Sequence, residues 1–209
     1  MQSWQDMVDF QREFGRIDIY LLDQLMKGRY QACKRILDVG CGAGRNSHFF
    51  LKNGYEVYGL DQDQEAITNI RVLADSLQPG YPNDRFVCAP ILQMPFQEGT
   101  FDLVICNAVL HFSKDHTHFE KMLQAIWNVL APGGFFFCRL SSTIGVEAYI
   151  TSLGHGRYEL PSGTQWYLVD QQTLITSTEQ LGGEWMEPIK TTNVQNQRAM
   201  TTWCLRKPI

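Results

Sequence analysis

The stretch that decides the fold is ILDVGCGAGRNS at residues 36–47. An apolar strand through Val39 runs into a glycine-rich turn, and the pattern predicts a helix from about Arg45 to Lys52. Such a turn lets backbone N–H groups approach a bound ligand closely. About twenty residues later a second apolar run ends on Asp61, and an acid at that point suits ribose hydroxyls. The pattern predicts an adenosine-containing cofactor across the ends of two parallel strands.

The spacing of the glycines limits which classes of cofactor are possible. They stand at Gly40, Gly42 and Gly44, so Arg45 occupies the place of the third glycine in the dinucleotide fingerprint G-x-G-x-x-G. No Gly-Lys-Ser/Thr follows, which excludes a P-loop. The remaining pattern is acid-x-Gly-x-Gly-x-Gly beginning at Asp38, with a second acid after the next strand.

This pattern resembles motif I and its partner acid in class I S-adenosylmethionine (SAM) methyltransferases. The resemblance continues through MPF at 94–96, GTFDLV at 99–104 and LAPGG at 130–134, and covers roughly residues 30 to 140. It implies a doubly wound α/β fold, Rossmann-like, with a mostly parallel seven-stranded sheet and an antiparallel C-terminal strand. One methyltransferase domain is expected over residues 1–209, with a helical cap over 1–30.

Three further segments resemble one branch of that family. GRNS at 44–47, GYEV at 54–57 and RAMTTW at 198–203 are similar to the tellurite-resistance-like small-molecule methyltransferases.

Composition sets limits on partners and location. The net charge is −4 and no basic stripe appears, so nucleic acid is a poor candidate for the substrate. No apolar run approaches the roughly 20 residues that span a bilayer, and the first residues lack a signal peptide's pattern. A cytoplasmic monomer or homodimer without membrane contact is expected.

The six cysteines predict neither disulfides nor zinc. No C-x-x-C pair exists, and four cysteines lie in or beside apolar runs: Cys41, Cys88, Cys106 and Cys138. They are expected to be buried, reduced thiols that behave as small hydrophobes, and no metal site is predicted.

The chain outside the glycine turn divides into three parts. A helix over Asp18–Lys27 precedes the sheet and is placed to cap the cofactor. Residues 141–164 are rich in Gly, Ser and Thr and follow strand five, where open α/β folds bind ligands, so they are interpreted as a substrate lid. The alternative is a mobile surface loop. Two closing strands are expected over 185–191 and 200–206.

The resemblance assigns the residues around the cofactor's ribose and methionine parts. Gly40 and Gly42 would let the backbone approach the methionine part, and Asp61 would bind the ribose hydroxyls. Gln62 would support the ribose or the adenine edge, or lie plainly on the surface. Asp38 would reach the SAM ammonium, with water between them; its alternative role is a structural bond to nearby N–H groups, since a buried carboxylate needs a partner.

At the carboxylate and the adenine of the cofactor, the sequence matches the family pattern less closely. Arg45, assisted by Arg16 or Tyr20, would bind the SAM carboxylate, or else be solvated. Many relatives carry an Asp that reads the adenine amino group, and Pro90 stands at that position here. Backbone groups of Ala89 and Ile91, with packing from Leu92, are the substitutes.

The candidates for chemistry follow strand four and lie in the lid. Asn107 stands where family members touch the methionine part and the substrate mouth. His111 is a candidate general base or substrate contact, with a packed, inert histidine as the alternative. His155 and Arg157 in the lid are further candidates, and Arg198 is a weaker one. His116 and His118 are expected to be solvated.

These features together predict methyl transfer from SAM to a small-molecule acceptor by in-line displacement, in which positioning supplies much of the rate. The alternative is a SAM-binding sensor or partner subunit without methyl transfer. A catalyst should close residues 141–164 over a second pocket, and a sensor need not have one.

Overall fold

The computed structural model describes residues 9–209. The part of the expected cap before residue 9 therefore lies outside the described residues. The helices are α1 Phe10–Phe14, α2 Ile19–Met26, α3 Ser47–Lys52, α4 Gln64–Leu77, α5 His116–Val129 and α6 Gln171–Leu181. The strands are β1 Arg35–Val39, β2 Glu56–Asp61, β3 Phe86–Cys88, β4 Phe101–Asn107, β5 Leu130–Ser142, β6 Thr151–Gly154, β7 Arg157–Glu159, β8 Gln165–Tyr167, β9 Glu184–Trp185, β10 Lys190–Val194 and β11 Arg198–Arg206.

The main sheet has the order β10-β11-β5-β4-β1-β2-β3, and β9 pairs with β11 as an eighth strand. β1 to β5 pair in parallel, whereas β11 runs antiparallel to β5. The predicted Rossmann-like fold with an antiparallel C-terminal strand is confirmed. The two-residue strand β9 is an addition to the seven strands that were expected, and it is too short for a periodic pattern to reveal.

The strand order places a ligand site at one end of the sheet. The chain moves outward from β1 to β2 and β3, then returns to the other side of β1 to form β4. Open α/β folds bind ligands at this reversal, outside the carboxyl ends of the strands.

Two apolar layers hold the helices against the sheet. On one face Ile36 and Ile105 pack with residues of α2, α3 and α4. On the other, Leu37 and Val104 pack with residues of α5 and α6. β1 and β4 are thus buried on both faces, which explains their near-continuous apolar sequences.

The helices begin where the sequence places their caps. Asp18, Asp63, Asp115 and Asp170 each accept a hydrogen bond from a backbone N–H of the first turn. This is the usual way in which a free N–H group at a helix start is satisfied. The helix after the glycine turn starts at Ser47 rather than at Arg45.

Residues 141–164 are not a loop. Ser141 and Ser142 end β5, and β6 and β7 join β8 in a separate three-stranded antiparallel sheet, called here the small sheet. Val146 and Leu160 within the segment are buried. The sequence did not predict the small sheet, because three- and four-residue strands leave no measurable alternation in sequence.

Cysteine burial follows the prediction with one exception. Cys106 and Cys138 are buried side by side on β4 and β5, and Cys41 is buried. Cys88 is exposed, since it ends the edge strand β3, so that prediction was wrong. All six cysteines are free thiols. Burial raises the pKa of Cys33 and Cys204 to about 12, which keeps both protonated and inert.

Within residues 9–209, no helix combines the length and the apolar character needed to cross a membrane.

Candidate functional site

At two of the three glycines in the turn, neighbouring side chains pack closely against the backbone. All three have positive φ, 68° at Gly40, 51° at Gly42 and 85° at Gly44. A Cβ at Gly40 would lie 2.3 Å from Val109 Cγ2, and one at Gly44 would lie 2.6 Å from Leu73 Cδ2, whereas one at Gly42 would meet nothing within 4 Å. Gly40 and Gly44 therefore allow close packing, and Gly42 leaves open space in front of the backbone.

Asp61 connects the turn to the end of β2. Its Oδ2 accepts a hydrogen bond from Gly42 N at 2.9 Å, and its Oδ1 accepts one from Asp63 N at 3.0 Å. The carboxylate is thus fixed against the glycine turn, and each oxygen keeps a lone pair for a ligand.

Beside this carboxylate lies a cavity of about 570 Å³. Six of the predicted cofactor residues line it: Gly40, Asp61, Gln62, Ala89, Ile91 and Leu92, together with Pro90. The sequence did not predict the opposite wall, which includes Phe112, Lys114, His118 and Met122. This volume falls in the range of small-molecule and cofactor sites.

His118 is part of this cavity rather than solvated. Its Nδ1 accepts a hydrogen bond from Lys114 N at 3.2 Å, which turns the ring from the start of α5 toward the cavity. His116 also has a partner, because its Nδ1 lies 2.7 Å from the Tyr167 hydroxyl. The only signal in the sequence was their place at the start of a helix, which does not indicate direction.

The residues predicted to contact the adenine have fewer free backbone groups than expected. Ala89 N donates to Asp61 O at 2.9 Å, so only the carbonyl of Ala89 is left for a base. Pro90 and Leu92 are exposed and form an apolar surface.

Asp38 lies below the glycine turn, 2 % exposed, and its Oδ2 accepts a hydrogen bond from Ser47 Oγ at 2.8 Å. Burial raises the pKa of Asp38 to about 7, against the opposing effects of the Ser47 hydrogen bond and the Arg45 charge. The structural partner is thus a hydroxyl rather than the N–H groups considered from sequence.

The three residues predicted to bind the SAM carboxylate have different surroundings. Arg16 and Arg45 are exposed, and neither forms a hydrogen bond or ion pair with another residue of the described range 9–209. Tyr20 instead joins α2 to β10 through a hydrogen bond between its hydroxyl and Thr192 Oγ1.

Asn107 and His111 stand at the carboxyl end of β4. Asn107 is 7 % exposed, and neither atom of its amide has a hydrogen-bond partner among residues 9–209. The next residue, Ala108, has φ 62°, a conformation that is unfavourable for a residue with a Cβ. Such strain beside an unpartnered polar group is typical of a functional site.

His111 is enclosed by aromatic rings. Its ring centroid lies 4.5 Å from that of Trp166 on β8 and 4.6 Å from that of Phe112. Nδ1 is buried and has no partner within the described residues. Burial, and secondly the charge of Arg198, lowers the pKa of His111 to about 4, so the ring is neutral near pH 7.

The two candidate residues in segment 141–164 have different surroundings. His155 is exposed in the turn between β6 and β7 with φ 54°. Arg157 donates hydrogen bonds to Ser113 O at 3.3 Å and Gln165 O at 3.1 Å. Its guanidinium therefore fastens the small sheet to the segment after β4, and its role as a substrate contact stays a prediction.

No cluster of three or more His, Cys, Asp or Glu side chains suited to a metal occurs among residues 9–209.

Comparisons with known proteins agree with this fold. Residues 37–138 match the family model described as a methyltransferase domain. A ubiquinone biosynthesis O-methyltransferase of Xanthomonas axonopodis pv. citri is 30% identical over 173 residues, which cover 78% of this chain and 67% of that protein. The enzyme of the same name from Chromobacterium violaceum is 28% identical over 170 residues, covering 79% and 70%. The chain thus spans about two thirds of the length of these two relatives.

A solved structure has the same fold. It is the Burkholderia thailandensis 1,6-didemethyltoxoflavin-N1-methyltransferase with 1,6-didemethyltoxoflavin and S-adenosylhomocysteine bound. Its TM-score is 0.69 at 18% identity, over 96% of this chain and 82% of that one. The chain belongs to the class I SAM-dependent methyltransferases, and its cofactor is SAM.

Proposed function

We propose that this methyltransferase acts on a small-molecule acceptor at the carboxyl ends of β4 and β5, beside the amino-terminal half of β11. The observation that carries the proposal is the pair Asn107 and His111 at the end of β4, where the Asn107 amide and His111 Nδ1 are buried and have no hydrogen-bond partner among residues 9–209. Such groups are destabilising unless a ligand or water satisfies them. The names of the relatives favour an organic acceptor, so the tellurite-resistance-like assignment stays a prediction about the branch.

The described residues fit SAM. The open space in front of Gly42 would hold the methionine part of the cofactor against the backbone. The two fixed oxygens of Asp61 suit the ribose hydroxyls. Gln62, Ala89, Ile91 and Leu92 would surround the base. Asp38 would face the ammonium, as proposed from sequence, and Asn107 would hold the methionine part at the substrate mouth.

Bound SAM supplies a methyl group on a sulfonium, which is already a good leaving group. The chain's own task is to hold the acceptor in line and close to that methyl group. A hydroxyl or other protonated acceptor also needs a base. His111 suits this role because it is neutral and its Nδ1 is free of partners within the described residues.

The test of the proposal is binding followed by turnover. Calorimetry should show tight binding of SAM and S-adenosylhomocysteine and weak or no binding of NAD, because the third glycine of the dinucleotide fingerprint is replaced by Arg45. At 100 times the dissociation constant, SAM should stabilise the fold by roughly 2.7 kcal/mol. Labelled SAM with a pooled metabolite library should then give a labelled product. SAM binding without any labelled product would instead favour the sensor alternative, and tighter binding of NAD would contradict both.

Binding of SAM should depend on pH through Asp38. Because folding raises the pKa of Asp38 from 3.8 to about 7, the folded state favours the protonated form. Asp38 therefore makes its stability contribution below pH 4 and loses it as the pH rises from 4 through 7. The cationic ammonium of SAM favours the ionised form, so SAM affinity should fall as the pH drops below 7.

Asp38→Asn tests this linkage. The variant should unfold at a higher temperature than wild type at pH 8, and its SAM affinity should be lower at pH 8 and independent of pH between 6 and 8. Calorimetry at three pH values measures both proteins. An unchanged affinity and an unchanged pH profile in a folded variant would exclude Asp38 from the cofactor site.

A further inference from the structure

A row of polar side chains crosses three neighbouring strands at the carboxyl end of the sheet. Asn107 on β4 pairs with Arg139 on β5, and Arg139 pairs with Thr202 on β11. Directly paired residues of adjacent strands point to the same face of a sheet. The three side chains therefore lie side by side, and the row starts next to Gly40, one position beyond the Val39–Cys106 pair.

This row holds nearly all the unsatisfied buried polar atoms of the described chain. Five buried side-chain atoms have no partner among residues 9–209, and four of them belong to the row: both amide atoms of Asn107, Arg139 Nε and Thr202 Oγ1. The fifth is His111 Nδ1. Since buried polar groups are almost always hydrogen-bonded in native proteins, this concentration in one place indicates a missing partner.

Helix α2 covers the row from the same side. Arg139 Nη1 donates to Asp18 Oδ2 at 3.0 Å, and the guanidinium lies 4.8 Å from the centre of the Tyr20 ring. Tyr20 and Asp18 thus fix Arg139 in one orientation with Nε left over. Asp18 is 4 % exposed and Thr202 is 3 % exposed, so these side chains are shielded from solvent.

The charges of the row identify the chemistry of its partner. Asp18 neutralises Arg139, so the row has no excess charge to bind an anion. Its free atoms are an N–H donor on Arg139, a hydroxyl on Thr202 that can donate and accept, and the Asn107 amide that can do both. An uncharged hydroxyl matches Arg139 and Thr202, because it can accept from Nε–H and donate to Oγ1.

We propose that Arg139 and Thr202 form the acceptor-specificity subsite, which binds an uncharged hydroxyl of the methyl acceptor under α2 while the reacting atom lies beside Asn107. This inference rests on the proposed function and adds to it the chemical class of the acceptor. Strands lie about 4.8 Å apart, so the span from Asn107 to Thr202 suits a molecule about the size of one ring.

Thr202→Val tests the subsite, with Thr201→Val as the matched control. Thr201 is the next residue on β11, is fully buried, and its hydroxyl is within 2.7 Å of both Ser142 Oγ and Thr191 Oγ1. Thermal unfolding without cofactor should show a lower melting temperature for Thr201→Val, because its partners lose hydrogen bonds. Thr202→Val should melt at the wild-type temperature or above, because it removes an unsatisfied group.

Measurements of ligand affinity complete the test of the subsite. The protein is saturated with S-adenosylhomocysteine, and affinities for 4-methylphenol, toluene and 4-methylbenzoate are measured by ligand-detected NMR. Wild type should prefer 4-methylphenol over the other two by about tenfold, which corresponds to about 1.4 kcal/mol. Thr202→Val should lose that preference, Arg139→Lys should weaken it, and Thr201→Val should keep it.

The outcomes separate the two proposals. A wild-type protein without the hydroxyl preference, a preference kept in Thr202→Val, or a Thr202→Val melting temperature lowered as far as that of Thr201→Val would overturn the subsite. A wild-type preference for 4-methylbenzoate would replace the hydroxyl by an anion and overturn the stated class. Failure to bind S-adenosylhomocysteine would remove the proposed function and the subsite with it, whereas intact S-adenosylhomocysteine binding without the hydroxyl preference would overturn the subsite alone.

Discussion

Asp61→Ala is expected to weaken SAM binding by roughly 10- to 150-fold, the equivalent of losing one hydrogen bond to a charged group worth about 1.5–3 kcal/mol. The variant also removes the acceptor of the Gly42 N–H bond and of the Asp63 N–H bond. The glycine turn thereby loses its tie to the end of β2, so the effect should lie toward the upper end of that range. Calorimetric titration with S-adenosylhomocysteine measures it.

Two variants serve as controls for Asp61. Asp61→Asn keeps the shape and one acceptor oxygen but loses the charge, so it should lie between wild type and Asp61→Ala. Gln62→Ala changes an exposed neighbour that lines the same cavity, and a small effect is expected there. A folded Asp61→Ala protein with wild-type affinity would show that the ribose is not held at the end of β2.

His111→Phe is expected to reduce turnover by about 10²- to 10⁴-fold, the usual contribution of a general base, while SAM binding stays near wild type. Phenylalanine preserves the aromatic contacts with Trp166 and Phe112 but removes both ring nitrogens. The rate of S-adenosylhomocysteine formation with the acceptor found by the library screen measures the change. His155→Ala is the matched control, because this second predicted histidine is exposed in a turn.

Trp166→Ala extends this test to the small sheet. Removing the indole exposes His111, so the pKa of His111 should rise from about 4 toward its ordinary value of 6.5. The acid limb of the pH–rate profile should move upward with it, and turnover at pH 5 to 6 should fall. If both His111→Phe and Trp166→Ala keep the wild-type turnover rate and the wild-type pH–rate profile, His111 has no role in catalysis and the small sheet has no gating role.

The interpretation of residues 141–164 as a lid is now more specific but remains a prediction. The small sheet, which contains β6 and β7 of this segment, is fastened to the chain after β4 by the Arg157–Ser113 hydrogen bond and by the Tyr167–His116 contact. The same chain lines the cofactor cavity through Phe112 and His118. Opening of the segment would therefore alter the cavity wall as well as the surroundings of His111.

The sequence by itself determined the features that depend on local pattern. The glycine turn and the acid at the end of β2 each rest on a few consecutive residues whose backbone needs are fixed by sterics and hydrogen bonding. The strand assignments rest on apolar runs that burial on both faces requires. These local patterns were enough to predict the parallel sheet, and they brought Asp61 and Gly40 to the wall of one cavity.

Only the tertiary structure decided which distant residues meet. The partners Asn107, Arg139 and Thr202 come from three strands, and their alignment depends on strand register, which no local pattern records. The same holds for His111 and Trp166, which meet because a three-residue strand packs on the segment after β4. The direction of Tyr20 toward Thr192 rather than Arg45 was also fixed by packing, because a helix presents a side chain according to its neighbours and not according to its spacing alone.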